Sequence, residues 1–261
     1  MSCHLVHTQV DMQNFNRWAG ARGLVRRGNF DQEFAFHILL SALFGKGALQ
    51  PFRLFASERR RSATLYAYSP SDAGQLQDLA ATVGTPDCLE VLSIGAMRSK
   101  PMPSNFAEGL RLGFDLRVRP VRRLGDALQN KQSGKTMSKG SEVDAYWLDV
   151  VRRNTDGTCD GEGRVSDSSR TREAVYSEWL RERLSGIADI ETCRLSGFRR
   201  TRTIRGDGLG PEGPDAKLQG VLVVRDCTAF AETLRSGVGR HRAYGYGMLL
   251  LRPPTMERLQ Q

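Results

Sequence analysis

The chain has 261 residues and is 39% hydrophobic, enough to fill one large core or two small ones. Its 38 Lys and Arg outweigh 29 Asp and Glu, for a net charge of +9 and a pI near 9.7, which points to an anionic partner: nucleic acid first, an anionic membrane second. No apolar run is long enough to span a bilayer, and five scattered cysteines without a C-x-x-C pair read as reduced thiols rather than a disulfide framework or structural zinc.

The opening MSCHLVHTQV lacks the basic start and apolar middle of a signal peptide, so a cytoplasmic chain is expected. His4 to Val10 reads as a strand. Phe30 to Phe44 reads as a helix, with Asn29 as candidate cap and Gly45 as stop. Pro51 to Ser57 and Ser62 to Tyr68 read as strands joined by the charged turn ERRR. Asp72 to Val83 follows as a helix behind Ser71, with Leu76, Leu79, Ala80 and Val83 on one face and Gly84 as its stop. Leu89 to Met97 closes the series as a strand. The order is βαββαβ, the ferredoxin-like unit.

The polar stretch SKPMPSN then marks a boundary between domains over 1–102 and 107–261. Beyond it the order repeats. Leu110 to Arg119 is a strand, Arg172 to Leu184 a helix, and Cys193 to Arg205 with Lys217 to Arg225 a long hairpin. Thr228 to Arg235 is a helix capped by Asp226 or Thr228 and ended by Gly237, and Tyr246 to Leu251 is the last strand. A polar insertion at about 124–169 interrupts this unit; VDAYWLDVV reads as a short helix within it and the rest as loop. The expected fold class is therefore α+β: two tandem ferredoxin-like (βαββαβ) domains, with a glycine-rich loop before the last strand.

That loop, GVGRHRAYGYG, holds Gly237, Gly239, Gly245 and Gly247 around Arg240, His241 and Arg242. It joins a helix to a strand and lacks Gly-Lys-Ser/Thr, so it is neither a P-loop nor a dinucleotide fingerprint. Two readings stand: a glycine cap with a plain connector, or bare backbone that a phosphate chain approaches while the basic residues supply charge. On the helix over 30–44, Glu33, His37 and Ser41 are spaced four apart and share a face, which places an imidazole on a polar stripe suited to proton transfer. The bland alternative is a satisfied histidine bonded to its helix neighbour. His4 and His7 point to opposite faces of a strand, and no metal site is expected. In FRRTRTIRGDG, Arg200 and Arg202 share one strand face and Arg199 and Arg205 the other, either a solvated edge or a phosphate-binding arm. Arg117, Arg119, Arg122 and Arg123 extend the basic track, as do Arg59 to Arg61.

Several of these stretches resemble one family. LQGVLVVRDCTAFAETLRSGVGRHRAYGYGMLLLRPP is similar to the C-terminal block of the CasE family, the CRISPR RNA-processing endoribonucleases of type I-E systems. GFDLRVRPVRR resembles its F-x-L-R-x-x-P strand, PFRLFASERRRSATLYAYS its first-domain hairpin, and EFAFHILLSALFG its helix with the catalytic histidine. The resemblance implies cleavage of CRISPR precursor RNA at each repeat hairpin without metal or other cofactor. The 2′-hydroxyl attacks the adjacent phosphate, leaving a 2′,3′-cyclic phosphate and a 5′-hydroxyl. It implies His37 as the catalytic histidine, and a repeat-RNA stem-loop and other Cascade subunits as partners, with no membrane. Members of the family often carry a tyrosine where this chain has Phe34, so Ser41, Lys46, Tyr244 or Tyr246 would supply the second polar group. The glycine loop (Gly237, Gly239, Arg240, Arg242, Gly245, Gly247), the hairpin (Arg199, Arg200, Arg202, Arg205) and Arg117 with Arg119 are the expected RNA contacts. A non-catalytic RNA-binding subunit on the same fold is the alternative.

Overall fold

The structure, a computed structural model, describes residues 2–26, 29–56, 61–129, 134, 136–155, 170–205 and 208–254. Strand β1 (His4–Asp11) runs into helix α1 (Met12–Ala21), and helix α2 (Gln32–Phe44) follows. Strands β2 (Phe52–Ala56) and β3 (Ser62–Ser69), helix α3 (Ala73–Val83) and strand β4 (Arg98–Pro101) complete the first half. The second half contains β5 (Arg111–Val118), α4 (Ala145–Thr155), α5 (Arg172–Arg183), β6 (Ala188–Arg205), β7 (Gly208–Val224), α6 (Cys227–Ser236) and β8 (Leu249–Arg252). The class is α+β. Two antiparallel four-stranded sheets have the orders β2-β3-β1-β4 and β6-β7-β5-β8.

Local chemistry fixes most helix ends. Asp72 caps α3 in a capping box with Gln75. Asp226 caps α6 through the N–H groups of Thr228 and Ala229, and Gly237 ends it at φ 79°. The cap of α2 is Asp31 rather than Asn29, and its stop is Gly45 as expected. Helix α1 was not expected. Asp11 caps it, and Phe15, Trp18 and Ala19, spaced for one helical face, are buried under it.

The expected strand over Leu89–Met97 is not formed. Pro86 starts a helical turn to Leu89, Leu92 makes a single bridge to Val10, and Ile94–Ala96 is a turn of 3₁₀ helix. The apolar side chains Val91, Leu92 and Met97 fill the first core from irregular backbone, while the polar RSKP segment pairs with β1 as the edge strand. The SKPMPSN boundary therefore begins inside β4 rather than after it. The β6–β7 hairpin is longer than expected at both ends. The short helix expected within the insertion forms as α4, but the rest is not simply loop: Leu128–Gln129 pairs with Thr136–Met137, and Glu142–Asp144 pairs with Val121–Arg123 just ahead of the insertion. Leu124, Val143 and Leu148 form a small core of its own. The ERRR turn (apart from Arg61), residues 156–163 of the NTDGTCDGEG segment, which include Cys159, and the side chain of Arg205 lie outside the described residues.

Each sheet carries its own apolar core. Tyr68 belongs to β3 but packs in the second core, and its hydroxyl donates to the carbonyl of Leu249 on β8 at 2.9 Å. Beside it, Arg53 of β2 is 3% exposed and pairs with Asp115 of β5. Among the described residues no helix is long and apolar enough to cross a membrane, and Cys3, Cys88, Cys193 and Cys227 are free thiols.

Candidate functional site

Helix α2 buries Ala35, Phe36, Leu39, Leu40 and Leu43 against the first sheet. Its opposite side carries Glu33, Phe34, His37 and Ser41, all half-buried. The glycine-rich loop packs on that side through its 3₁₀ turn, Arg242–Tyr244. The ring of Tyr244 meets His37 edge-on, with centroids 5.2 Å apart and planes at 67°. Phe34 lies 6.2 Å from the same ring and His241 6.4 Å. Among the described residues, His37 makes no hydrogen bond or ion pair with the protein. Burial, and then the nearby Lys46 ammonium, push its pKa below the ordinary 6.5, so the ring is neutral near pH 7 with its nitrogens uncommitted. Ser41 stands one turn further on, and its carbonyl accepts the N–H of Gly45 at 3.0 Å. The structure thus brings His37, Lys46 and Tyr244 together.

Glu33 shares a helix face with His37 but does not turn toward it, so the bland reading of a histidine bonded to its helix neighbour does not hold there. The Glu33 carboxylate reaches across to the second sheet, 2.7 Å from Arg117 and 3.7 Å from Arg199. Arg117 also makes two bonds to Asp215, at 2.8 and 2.7 Å, and its guanidinium lies 4.6 Å from the Tyr246 ring centroid. Arg199 adds a third bond to Asp215 at 2.7 Å. Burial works to raise the Asp215 pKa, yet Arg117 and then Arg199 outweigh it and hold the carboxyl below its ordinary 3.8. Tyr246 is consumed by this cluster and is 3% exposed, so of the hydroxyls weighed to replace the one missing at Phe34, Tyr244 has the position beside His37.

The burial of Arg117 and Arg119, 6% and 4% exposed, corrects their expected place on a surface track. Arg117 is the centre of the ion cluster, and Arg119 donates to the carbonyl of Thr201 at 3.1 Å. Both hold the hairpin strand instead of facing solvent. Of the hairpin arginines, Arg199 is 62% exposed beyond its bond to Asp215, Arg200 faces Glu212 at 3.4 Å, and Arg202 is exposed. Arg122 pairs with Glu182 and Arg123 donates to the carbonyl of Gly140.

The glycine loop owes its composition first to its own packing. Gly237, Gly239, Gly245 and Gly247 all have φ between 73° and 80°. At Gly239 a Cβ would sit 2.9 Å from the Trp179 ring, and at Gly247 one would sit 2.5 Å from the Val238 carbonyl oxygen. The N–H groups of Gly237, Val238, Tyr244 and Gly247 are spent on protein carbonyls. Arg242 donates to the Ser236 carbonyl at 2.7 Å, covering the end of α6. Glu142, in the insertion that read as loop, holds the tip: its carboxylate is 2.6 Å from Arg240 and 2.7 Å from His241. His241 has φ 63°, and its side chain is 9% exposed, so it is a held structural residue more than a solvent-facing one. Glu142 and Asp215 were missed by sequence reasoning. For Glu142 the alternation in SEVDAYW was the available signal; for Asp215 there was none. Among the described residues no three His, Cys, Asp or Glu side chains gather to hold a metal ion.

A model of the CRISPR associated protein family matches residues 4–253. No curated protein matches the chain. Among solved structures, the CRISPR endoribonuclease Cse3 bound to a 19-nucleotide RNA superposes with a TM-score of 0.61 at 18% identity, over 97% of this chain and 100% of that one. Thermus thermophilus Cse3, bound to an RNA representing a pre-cleavage complex, gives 0.57 at 19% identity over 97% and 100%. Cas6e from Escherichia coli K-12 gives 0.57 at 17% identity over 96% and 99%. At these identities the likeness is one of fold.

Proposed function

The chain belongs to the CRISPR associated protein family, matched over residues 4–253, and from that premise we propose that it is a metal-independent endoribonuclease that cuts CRISPR precursor RNA at the repeat hairpin. The observation that carries the reading is the uncommitted, neutral imidazole of His37, set against Tyr244 of the glycine loop. The ribose 2′-hydroxyl attacks the adjacent phosphorus as His37 takes its proton. The P–O2′ bond forms and the P–O5′ bond breaks, giving a 2′,3′-cyclic phosphate. The departing 5′-oxygen takes a proton from the Tyr244 hydroxyl, which solvent restores. Lys46 and Ser41 stand at the phosphate, where the ammonium meets the developing negative charge. Because His37 needs no ionisation to act, the reaction proceeds at neutral pH once the RNA is held in line.

The matching strand orders of the two sheets support reading the chain as tandem ferredoxin-like domains over 1–102 and 107–261, the second carrying the insertion at about 124–169. Arg199, Arg200, Arg202 and Arg205 of the hairpin and Arg240 of the loop contact the RNA, chiefly at phosphates, since an A-form major groove is too narrow for side chains. Arg117, Arg119, Arg242 and the loop glycines act indirectly, by shaping the hairpin and loop. The cut RNA stays bound, and the chain is a Cascade subunit working in the cytoplasm. Phe34, which has no hydroxyl, favours a second reading as a binding subunit that does not cut.

Incubating hairpin-containing repeat RNA with the protein in excess EDTA separates the two. One cut with a cyclic-phosphate end, lost when the nucleotide before the cut is 2′-deoxy, supports the enzyme. Tight binding with no cut supports the second reading, and a cut that survives the 2′-deoxy substitution overturns the chemistry.

A further inference from the structure

A groove of about 1050 Å³ separates β2 of the first sheet from the β6–β7 hairpin of the second. Two large aromatic rings line it while remaining unusually exposed: Phe55 at 41% and Phe198 at 39%. Both are held. The Arg53 guanidinium lies 4.7 Å from the Phe55 centroid, and the Tyr66 ring meets Phe55 edge-on at 5.7 Å and 89°. The Arg172 guanidinium lies 4.1 Å from the Phe198 centroid. A cation packed on one side of a ring fixes it and leaves the remaining exposed surface as a rigid platform. Tyr66 stands opposite His7 in one register and Arg53 in the other, and its ring is 5.8 Å from His7, so aromatic surface continues across the sheet.

Charge completes the groove. Four carboxylates line it, and each is occupied. Asp31 caps α2, Glu33 and Asp215 are neutralised by Arg117 and Arg199, and Glu212 faces Arg200. Arg202 and Lys217 have no carboxylate partner among the described residues, and the exposed Arg200–Glu212 pair is weak enough to open. Held ring faces beside unpaired cations fit a chain that alternates flat bases with phosphates. Bases in a duplex are already stacked, so the matching form is single-stranded.

We propose that this groove binds unpaired RNA nucleotides flanking the hairpin stem, with bases stacked on Phe55 and Phe198 and phosphates on Arg202 and Lys217. The proposal rests on the reading of the chain as a CRISPR RNA-binding protein. It also supplies what the sequence lacked: no aromatic RNA-recognition strand is present, because the rings come from separate strands, β2, β3 and β6.

The test compares the affinity of the full chain for two labelled RNAs: a blunt repeat hairpin, and the same hairpin with about six unpaired flanking nucleotides, within the span of a single-strand site. The extended RNA is expected to bind at least tenfold tighter. Phe55→Ala with Phe198→Ala is expected to erase that gain, at roughly 5- to 150-fold per lost stack, without changing affinity for the blunt hairpin. Phe55→Trp with Phe198→Trp keeps the gain. Cross-linking of 5-bromouridine in the extension to the peptides holding Phe55 or Phe198 confirms the location. If the extension adds no affinity, or adds as much in the alanine variant, the proposal is wrong and the groove serves another partner, such as a protein segment. Failure of the cleavage reading looks different: no RNA is cut, yet the extension still binds in a phenylalanine-dependent way.

Discussion

The two halves of one helix use their polar residues in opposite ways. Near its start, α2 commits Glu33 to a cluster with the buried Arg117 and Asp215 and the exposed Arg199, where every group has a partner of opposite charge. One turn later, His37 has no hydrogen bond or ion pair among the described residues and meets the Tyr244 ring edge-on. The first arrangement fixes the second sheet against the helix. The second leaves an imidazole ready to accept a proton. A reactive group can be left unpartnered here because a neighbouring, fully paired cluster holds the geometry.

The sharpest way to break this contrast is to remove one member of each region. His37→Ala should lower cleavage by about 10²- to 10⁴-fold, the usual range for a general base, while RNA affinity and melting temperature stay near wild type. Asp215→Ala should do the reverse. It strips Arg117 of its bidentate partner and should cost about 3 kcal/mol in denaturant unfolding, with Glu33 left as partial compensation. The loop between the regions is sharpened by Gly239→Ala, which combines a positive φ with a close approach to Trp179. About 2 kcal/mol of destabilisation is expected, with cleavage falling as Tyr244 shifts. Tyr68→Phe should cost about 1 kcal/mol, the loss of a single buried hydrogen bond across the two sheets, and leave cleavage intact.

Acid should separate the regions again. The folded pKa of Asp215 lies below its unfolded value near 3.8, so its stabilisation is present above that value and is lost as pH falls through the folded pKa. Unfolding by this route belongs below pH 4, whereas acid silences cleavage by a separate route, the protonation of His37 below pH 6.5, which needs no unfolding.

The same contrast explains what could be read from the sequence. The helix that carries His37 and its stop at Gly45 were legible because they depend on neighbours three and four residues away. The glycine loop was legible as a helix-to-strand connector, though its glycines answer to Trp179 and Val238 before any ligand. Asp215 was not legible, because its partner Arg117 is 98 residues distant and the pairing exists only once β5 and β7 are in register. Arg117 and Arg119 misled for the same reason, since a basic residue on a strand reads as surface until a carboxylate or carbonyl is found beside it. Helix α1 was overlooked although Asp11, Phe15 and Trp18 carry its signal. The strand expected over Leu89–Met97 failed because apolar residues fill a core as well from a turn as from a strand.

The central claim is that neutral His37 is the proton acceptor, and the pH dependence of single-turnover cleavage, measured at saturating protein for wild type and His37→Ala, tests it most directly. The account predicts an acid limb in wild type, with half-maximal rate below pH 6.5 and a plateau reached by neutral pH, and no such limb in the residual activity of the variant. A variant that cuts at the wild-type rate, or that keeps the same acid limb, would contradict it.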